Sequence, residues 1–174
     1  MKLKTLKRYT AIYLVNHVLA GTRSFAAKRR LLRSAGYDIG EGTKVVGPVF
    51  CTGRLSIGAN CWIGRNFTVN GNGSVTIGDN CDLAPDVTFC TGGHKVGSHE
   101  RRAGQGESYD ISVGSGVWIG IRATVLGNTA IGDGSVVAAC ACVTWDVPAD
   151  SLVAGVPAKI VKEYKNGAAI TEKE

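Results

Sequence analysis

Residues Val113 to Pro148 read V-G-S-G-V-W-I-G-I-R-A-T-V-L-G-N-T-A-I-G-D-G-S-V-V-A-A-C-A-C-V-T-W-D-V-P. Every sixth residue from the start is aliphatic: Val113, Ile119, Val125, Ile131, Val137 and Val143. Toward the N terminus the same spacing returns at Ile57, Ile63 and Val69, and again at Ile77, Leu83 and Phe89. Glycine follows the slot at Gly58, Gly64, Gly78, Gly114, Gly120 and Gly132. Four residues beyond the slot the side chain is mostly small, as in Cys61, Cys81, Ala123, Ser135 and Ala141.

A period of six is neither the 3.6 of an amphipathic helix nor the 2 of a half-buried strand. It suits a chain that runs straight briefly, turns a corner and runs straight again. The aliphatic side chain points inward on each straight piece, the small one shares that interior, and the glycine is expected to ease the turn. Such units stack into a parallel β-solenoid, each rung about 4.8 Å above the last and covering its apolar edge.

These residues resemble the motif of the hexapeptide-repeat transferases: an aliphatic residue, Gly, two variable residues, a small residue and one more variable. The resemblance spans residues 39 to 164. It implies an all-β solenoid of one kind, a left-handed parallel β-helix forming a triangular prism with three hexads per coil. The left hand comes from the resemblance alone, since crossover connections otherwise favour the right. The family generally assembles as trimers, so a homotrimer with sites between subunits is expected.

Length and composition agree with one such domain: 174 residues, with 24 glycines scattered as a many-cornered chain requires. The six cysteines form neither a disulfide framework nor a zinc pattern; Cys61 and Cys81 fill small interior slots, and C-x-C at Cys140 and Cys142 has no matching His/Cys pair. Reduced thiols and the lack of a cleavable signal point to the cytoplasm.

Charge is concentrated at one end. Residues 1–37 hold nine Lys or Arg and no acid, whereas the other 137 hold eleven bases and fourteen acids. No nucleic-acid motif accompanies the basic residues. The leader has helical spacing at Leu3, Leu6, Tyr9, Ile12 and Tyr13, a closing Gly21, and a second helical stretch from Ser24 to Ala35 before Gly36. Its apolar run from Ala11 to Ala20 is too short to cross a bilayer. Two readings stay open: a helical hairpin capping the first rung, or a basic amphipathic segment resting peripherally on the anionic inner membrane face. Both hold together if Arg29, Arg30 and Arg33 face outward. Residues 165–174 read as a flexible tail.

The repeat has one large interruption. Stepping by six from Phe89 lands on Lys95, Arg101 and Glu107, which cannot enter a dry interior unpartnered. Residues 91–110 must therefore leave the prism as a loop, and a loop this long inside a compact repeat is often functional. It contains T-G-G-H-K-V-G-S-H-E-R-R, with two of the three histidines.

In acetyltransferases of the family, a coil ending in Thr or Gly is followed by the His that acts as general base, with Arg a few residues on. The resemblance thus implies His94 as base and Arg101 or Arg102 as holding the loop or substrate. A hydroxyl is a weak nucleophile, and imidazole can take its proton as it attacks a thioester. His99 could orient the loop, contact acceptor, or do neither. The run from Val113 resembles the family's acetyl-CoA groove, which Trp118, Gly120 and Ala139 would border. Trp145 replaces a commonly basic position and could stack on adenine, or pack between subunits. A-G-V-P-A-K-I-V-K-E-Y resembles the family's closing motif, placing Lys159 and Lys162 near nucleotide phosphates; a solvated basic tail is the alternative. Asn66, Asn70 and Asn72 fall where the repeat shifts by two residues; Asn70 and Asn72 match acceptor-facing positions, and a tight corner would also use Asn and Gly.

The expected activity is acetyl transfer from acetyl-CoA to a hydroxyl of a sugar or glycan intermediate of surface-polysaccharide synthesis. Alternatives are an amino sugar, serine or xenobiotic acceptor, or a non-catalytic assembly solenoid. A γ-carbonic-anhydrase-like metal enzyme shares the prism and the five-residue spacing of His94 and His99, but the chain lacks the third His from an earlier coil. No metal is expected.

Overall fold

A computed structural model describes residues 3–164. Twelve apolar slots, eleven aliphatic and one Phe, predicted twelve inward side chains, and all twelve are buried at 3% exposure or less. Each such side chain contributes about 1.5–3 kcal/mol on leaving water. The small residues Cys61, Cys81, Ala123, Ser135 and Ala141 are buried with them.

The strands lie in three parallel faces of a prism. The first face stacks Asp38–Ile39, Arg54–Ile57, Ser74–Ile77, Asp110–Val113 and Thr129–Ile131. The second stacks Lys44–Val45, Trp62–Ile63, Asp82–Leu83, Trp118–Ile119, Val136–Val137 and Ser151–Gly155. The third stacks Val49–Cys51, Phe67–Asn70, Thr88–Cys90, Thr124–Leu126 and Cys142–Val143. Register places Ile39, Ile57, Ile77, Val113 and Ile131 in one interior column. The first coil, with Ile39 and Val45, extends the repeat below the hexads that start at Ile57.

The glycines after the slots do a different job from the one expected. None of the six has a positive φ. They are small because coils stack closely: a Cβ on Gly64 would lie 2.6 Å from the Ala84 carbonyl carbon, and one on Gly78 would lie 2.7 Å from that of Gly114. The left-handed corner residues sit two positions later, at Asn60, Asn66, Asn80, Asp86, Gly116, Arg122, Gly134 and Cys140. Asn and Asp tolerate this conformation better than other side chains.

The leader caps the first coil. Helix α1 (Leu3–Tyr13) widens into a π turn (Leu14–Val18), and α2 (Phe25–Ser34) packs on the strands Asp38–Ile39 and Lys44–Val45. Buried Asn16 pairs with both the N–H and the C=O of Val49, as a neighbouring strand would. The cations cover the remaining carbonyls. Arg8 donates to Cys51 O, Arg33 to Ile39 O and Arg29 to Thr43 O. Lys28, with no exposed surface, donates to Gly21 O and Val46 O. Burial pushes its amine below the usual value. Tyr37 adds a hydroxyl bond to Cys51 O, and burial raises its pKa to about 12, so it stays a donor.

Outward-facing Arg29, Arg30 and Arg33 were the condition for the cap and a membrane contact to hold together. Arg30 is exposed, but Arg29 and Arg33 turn back to bind Glu41 at 3.4 and 2.7 Å as well as the carbonyl row. A rung edge of unpaired carbonyls attracts donors that cannot act as acceptors, which Lys and Arg are. Among the described residues no helix is long and apolar enough to cross a membrane. The expected tail at 165–174 lies outside the described residues.

At the far end Ser151–Gly155 turns back to pair antiparallel with Ala158–Glu163. The excursion also has regular structure: Gly92–Val96 and Ala103–Ser108 form an antiparallel ribbon, not an irregular loop.

Candidate active site

The ribbon departs where the third face ends. Thr91, fully buried, fastens the exit by giving its N–H and its hydroxyl to Asn70 O at 2.7 and 3.1 Å. Tyr109 closes the return by donating its N–H to Thr91 O at 2.8 Å. The Tyr109 ring then fills the space beside Gly93 and Gly127, where a side chain would collide with it.

His94 pairs across the ribbon with Gly106, and its imidazole folds along that bare strand to Gly104. Nδ1 lies 2.9 Å from Gly104 O. A carbonyl can only accept, so Nδ1 carries the proton and Nε2 of the neutral ring keeps a free lone pair. This is the arrangement a general base needs. The ring opens on a cavity of about 500 Å³ lined by Cys90, Gly92, Gly93, His94, Glu107, Tyr109, Leu126, Gly127, Asn128 and Thr144. Glu107 accepts from the Tyr109 hydroxyl at 2.8 Å and sits 3.6 Å from Lys95 Nζ. The neighbouring carboxylate pushes the Tyr109 hydroxyl above its ordinary value.

The residues expected to border the donor gather elsewhere. Trp118 lies on the outer side of the second face, in register with Asp82 below and Val136 above, and is more than half exposed. Gly120 is buried directly against the Ala139 backbone: a Cβ there would lie 2.9 Å from Ala139 Cα. Val136 pairs with Leu152, and Leu152 with Lys162, so Lys162 continues the outer row of Trp118. A bulge between Leu152 and Val153 corrects the alternation and puts Lys159, opposite Ala154, on that same outer side. Trp145 is half-buried and gives its indole N–H to Ala158 O at 2.7 Å, binding the closing hairpin to the last coil.

Other candidates are outside the cavity. Asn70 and Asn72 are exposed, with Asn70 one coil below the cavity in register with Cys90. Asn66 is a left-handed corner whose amide donates to Asp86 at 2.8 Å. Arg102 holds the ribbon's turn through Gly97 O at 3.2 Å, while Arg101 and His99 are exposed there.

Comparison with known proteins follows the same outline. The family model described as bacterial transferase hexapeptide (six repeats) matches residues 110–144. The galactoside O-acetyltransferase of Escherichia coli strain K12 is 36% identical over 169 residues, covering 94% of this chain and 80% of the relative.

The chain belongs to the hexapeptide-repeat acyltransferases.

Its prism is the left-handed parallel β-helix of that family. A hexapeptide-repeat-containing acetyltransferase from Vibrio cholerae superposes with a TM-score of 0.83 at 28% identity, covering 94% of this chain and 92% of that one. The same protein has been solved with acetyl coenzyme A, at a TM-score of 0.82, 28% identity and coverage of 94% and 88%. A galactoside acetyltransferase solved with coenzyme A superposes with a TM-score of 0.68 at 35% identity, covering 92% and 80%.

For this hexapeptide-repeat acyltransferase the hexad count pointed to the ribbon and to His94, but not to the rest of the cavity. Glu107 and Tyr109 stand in G-Q-G-E-S-Y, whose alternation is a usable strand signal. Asn128 and Thr144 come from later coils, and their place beside His94 is set by stacking alone. The six cysteines are all unpaired. Among the described residues, no three His, Cys, Asp or Glu side chains come together as a metal site.

Proposed function

We propose that this chain is an acetyl-CoA-dependent O-acetyltransferase that acylates a hydroxyl of a sugar or glycan intermediate by direct attack, with His94 as general base. The observation that carries the reading is the 2.9 Å contact of His94 Nδ1 with Gly104 O at the wall of the cavity: in the neutral ring this contact takes the Nδ1–H and leaves Nε2 as an acceptor. The acceptor hydroxyl gives its proton to Nε2 as its oxygen attacks the thioester carbonyl. A backbone N–H holds the oxyanion. The tetrahedral species expels the thiolate of coenzyme A, which takes the proton back from the imidazolium.

The donor runs along the outer side of the second face. Small residues at Gly120 and Ala139 let the pantetheine arm approach the backbone beside Trp118, and Lys159 and Lys162 take the phosphates. Trp145 offers adenine only a ring face, since its N–H serves Ala158. This face and the His94 cavity are on different sides of the prism in one protomer. A homotrimer, in which one copy's ribbon reaches a neighbour's donor face, brings the two together. Asn70 and Asn72 approach the acceptor from below the cavity, and Arg101 and Arg102 from the ribbon's turn.

The leader adds peripheral contact with the inner membrane face, through exposed Leu6, Tyr9 and Tyr13 beside the cations that do not cap the prism. Flotation of the full chain with anionic liposomes but not neutral ones is the expected result; flotation with neither overturns that contact.

The transfer reading is tested by measuring free thiol released from acetyl-CoA against a panel of sugars, glycans, amino sugars, serine and xenobiotics. Turnover with hydroxyl acceptors is expected, and its loss in His94→Ala with coenzyme A binding retained. Unchanged turnover in that variant overturns the assignment of the base.

A further inference from the structure

Glu107 is the carboxylate of the His94 cavity, and the transfer chemistry above leaves it without a task. An ionised carboxylate presents about four acceptor positions. Among the described residues, Tyr109 donates to Oε2 at 2.8 Å and Lys95 Nζ stands 3.6 Å from Oε1 as an ion pair. The side chain is one-third exposed, so the remaining lone pairs are open to a ligand.

The carboxylate is also held in place. The Tyr109 ring is wedged beside Gly93 and Gly127, and a Cβ on Gly93 would lie 2.7 Å from it. The raised pKa of the Tyr109 hydroxyl keeps its proton available for Glu107. His94 pairs with Gly106 and Glu107 with Gly93, so alternation sends the two side chains off opposite faces of the ribbon. One cavity is nevertheless lined by both, together with Gly92 and Gly93. A ligand in that cavity meets the imidazole at one point and the carboxylate at another.

We infer that Glu107 is a specificity-determining residue for the acceptor: it accepts a hydrogen bond from a second hydroxyl while His94 deprotonates the first. The chain therefore selects polyols with at least two free hydroxyls over acceptors with one. This rests on the acetyl-transfer reading above.

The test uses the full chain and a sugar from the panel that turns over, together with monodeoxy and mono-O-methyl analogues at each non-reacting hydroxyl. In wild type, change at one position should lower kcat/KM by about tenfold or more, as for loss of a charge-assisted hydrogen bond. Glu107→Ala should lower kcat/KM for the parent sugar by a similar factor and shrink that analogue's penalty to within about threefold. Glu107→Gln, which keeps the shape but not the charge, should fall between and carries the test if the alanine variant does not fold. A penalty that is the same in wild type and variants overturns the inference while the transfer reading stands. So does an equal loss for every acceptor, which would mean that Glu107 only braces the ribbon. No turnover by wild type with any hydroxyl acceptor overturns both.

Discussion

The leader and the ribbon both bring polar side chains against an apolar prism, and they differ in what those side chains have left over. In the leader, Arg8, Asn16, Lys28, Arg29 and Arg33 all spend donors on backbone groups of the first coil. In the ribbon, His94 spends one nitrogen and keeps the other, and Glu107 keeps open lone pairs. Saturation of polar groups is what a structural cap needs, because an unmet buried group costs more than a met one gains. Unsaturated groups facing a cavity are what chemistry needs.

The comparison is broken most sharply at His94. Its removal as alanine should lower turnover by about 10²–10⁴-fold, the usual contribution of a general base, and leave the thermal unfolding midpoint unchanged. A fall in both together would make the ribbon as structural as the leader. The body that joins the two regions comes next. Gly64→Val should destabilise the chain by about 1–3 kcal/mol in urea unfolding, because the side chain meets the Ala84 backbone and has nowhere to relax.

Lys28→Met should cost roughly 1 kcal/mol without touching turnover per folded molecule. Gly21 O loses its donor, whereas Val46 O keeps the Gly21 N–H at 2.9 Å. The pH dependence has a definite sign. The folded-state pKa of Lys28 lies below its ordinary 10.5, so its favourable contribution is fully present above 10.5 and is lost as pH falls through the depressed value. Wild type should therefore gain on Lys28→Met as pH rises toward 10.5. Glu41→Gln should have the smallest effect. Arg33 and then Arg29 hold its carboxyl below the ordinary 4.5, so what it contributes is present above that value and disappears as pH falls below it. Salt should weaken it as well, since the pair is at the surface.

Much of the fold was legible because a solenoid repeats one local problem. Each hexad must supply an inward aliphatic and a small companion, so Ile63 or Val125 declares its own position without reference to distant residues. The break at Lys95 was legible for the same reason, since a charge in an interior slot contradicts the repeat. The glycines were legible as positions but not as causes. Gly64 is small to clear the coil above, while the turn belongs to Asn66, two residues on. The leader's charge was legible, yet Arg29 and Arg33 turned inward because the exposed carbonyl row is a feature of the stacked first coil.

By itself the sequence determined the period, the interior columns, the place where the coil is interrupted and the imidazole found there, because each follows from residues close together in the chain. Only the tertiary structure decided which nitrogen of His94 is held by Gly104, that Glu107 and Tyr109 share its cavity, and that Thr144 joins them from fifty residues beyond His94. Those relations depend on which coil lies above which and on how the ribbon folds back, and they exist only once the coils have stacked.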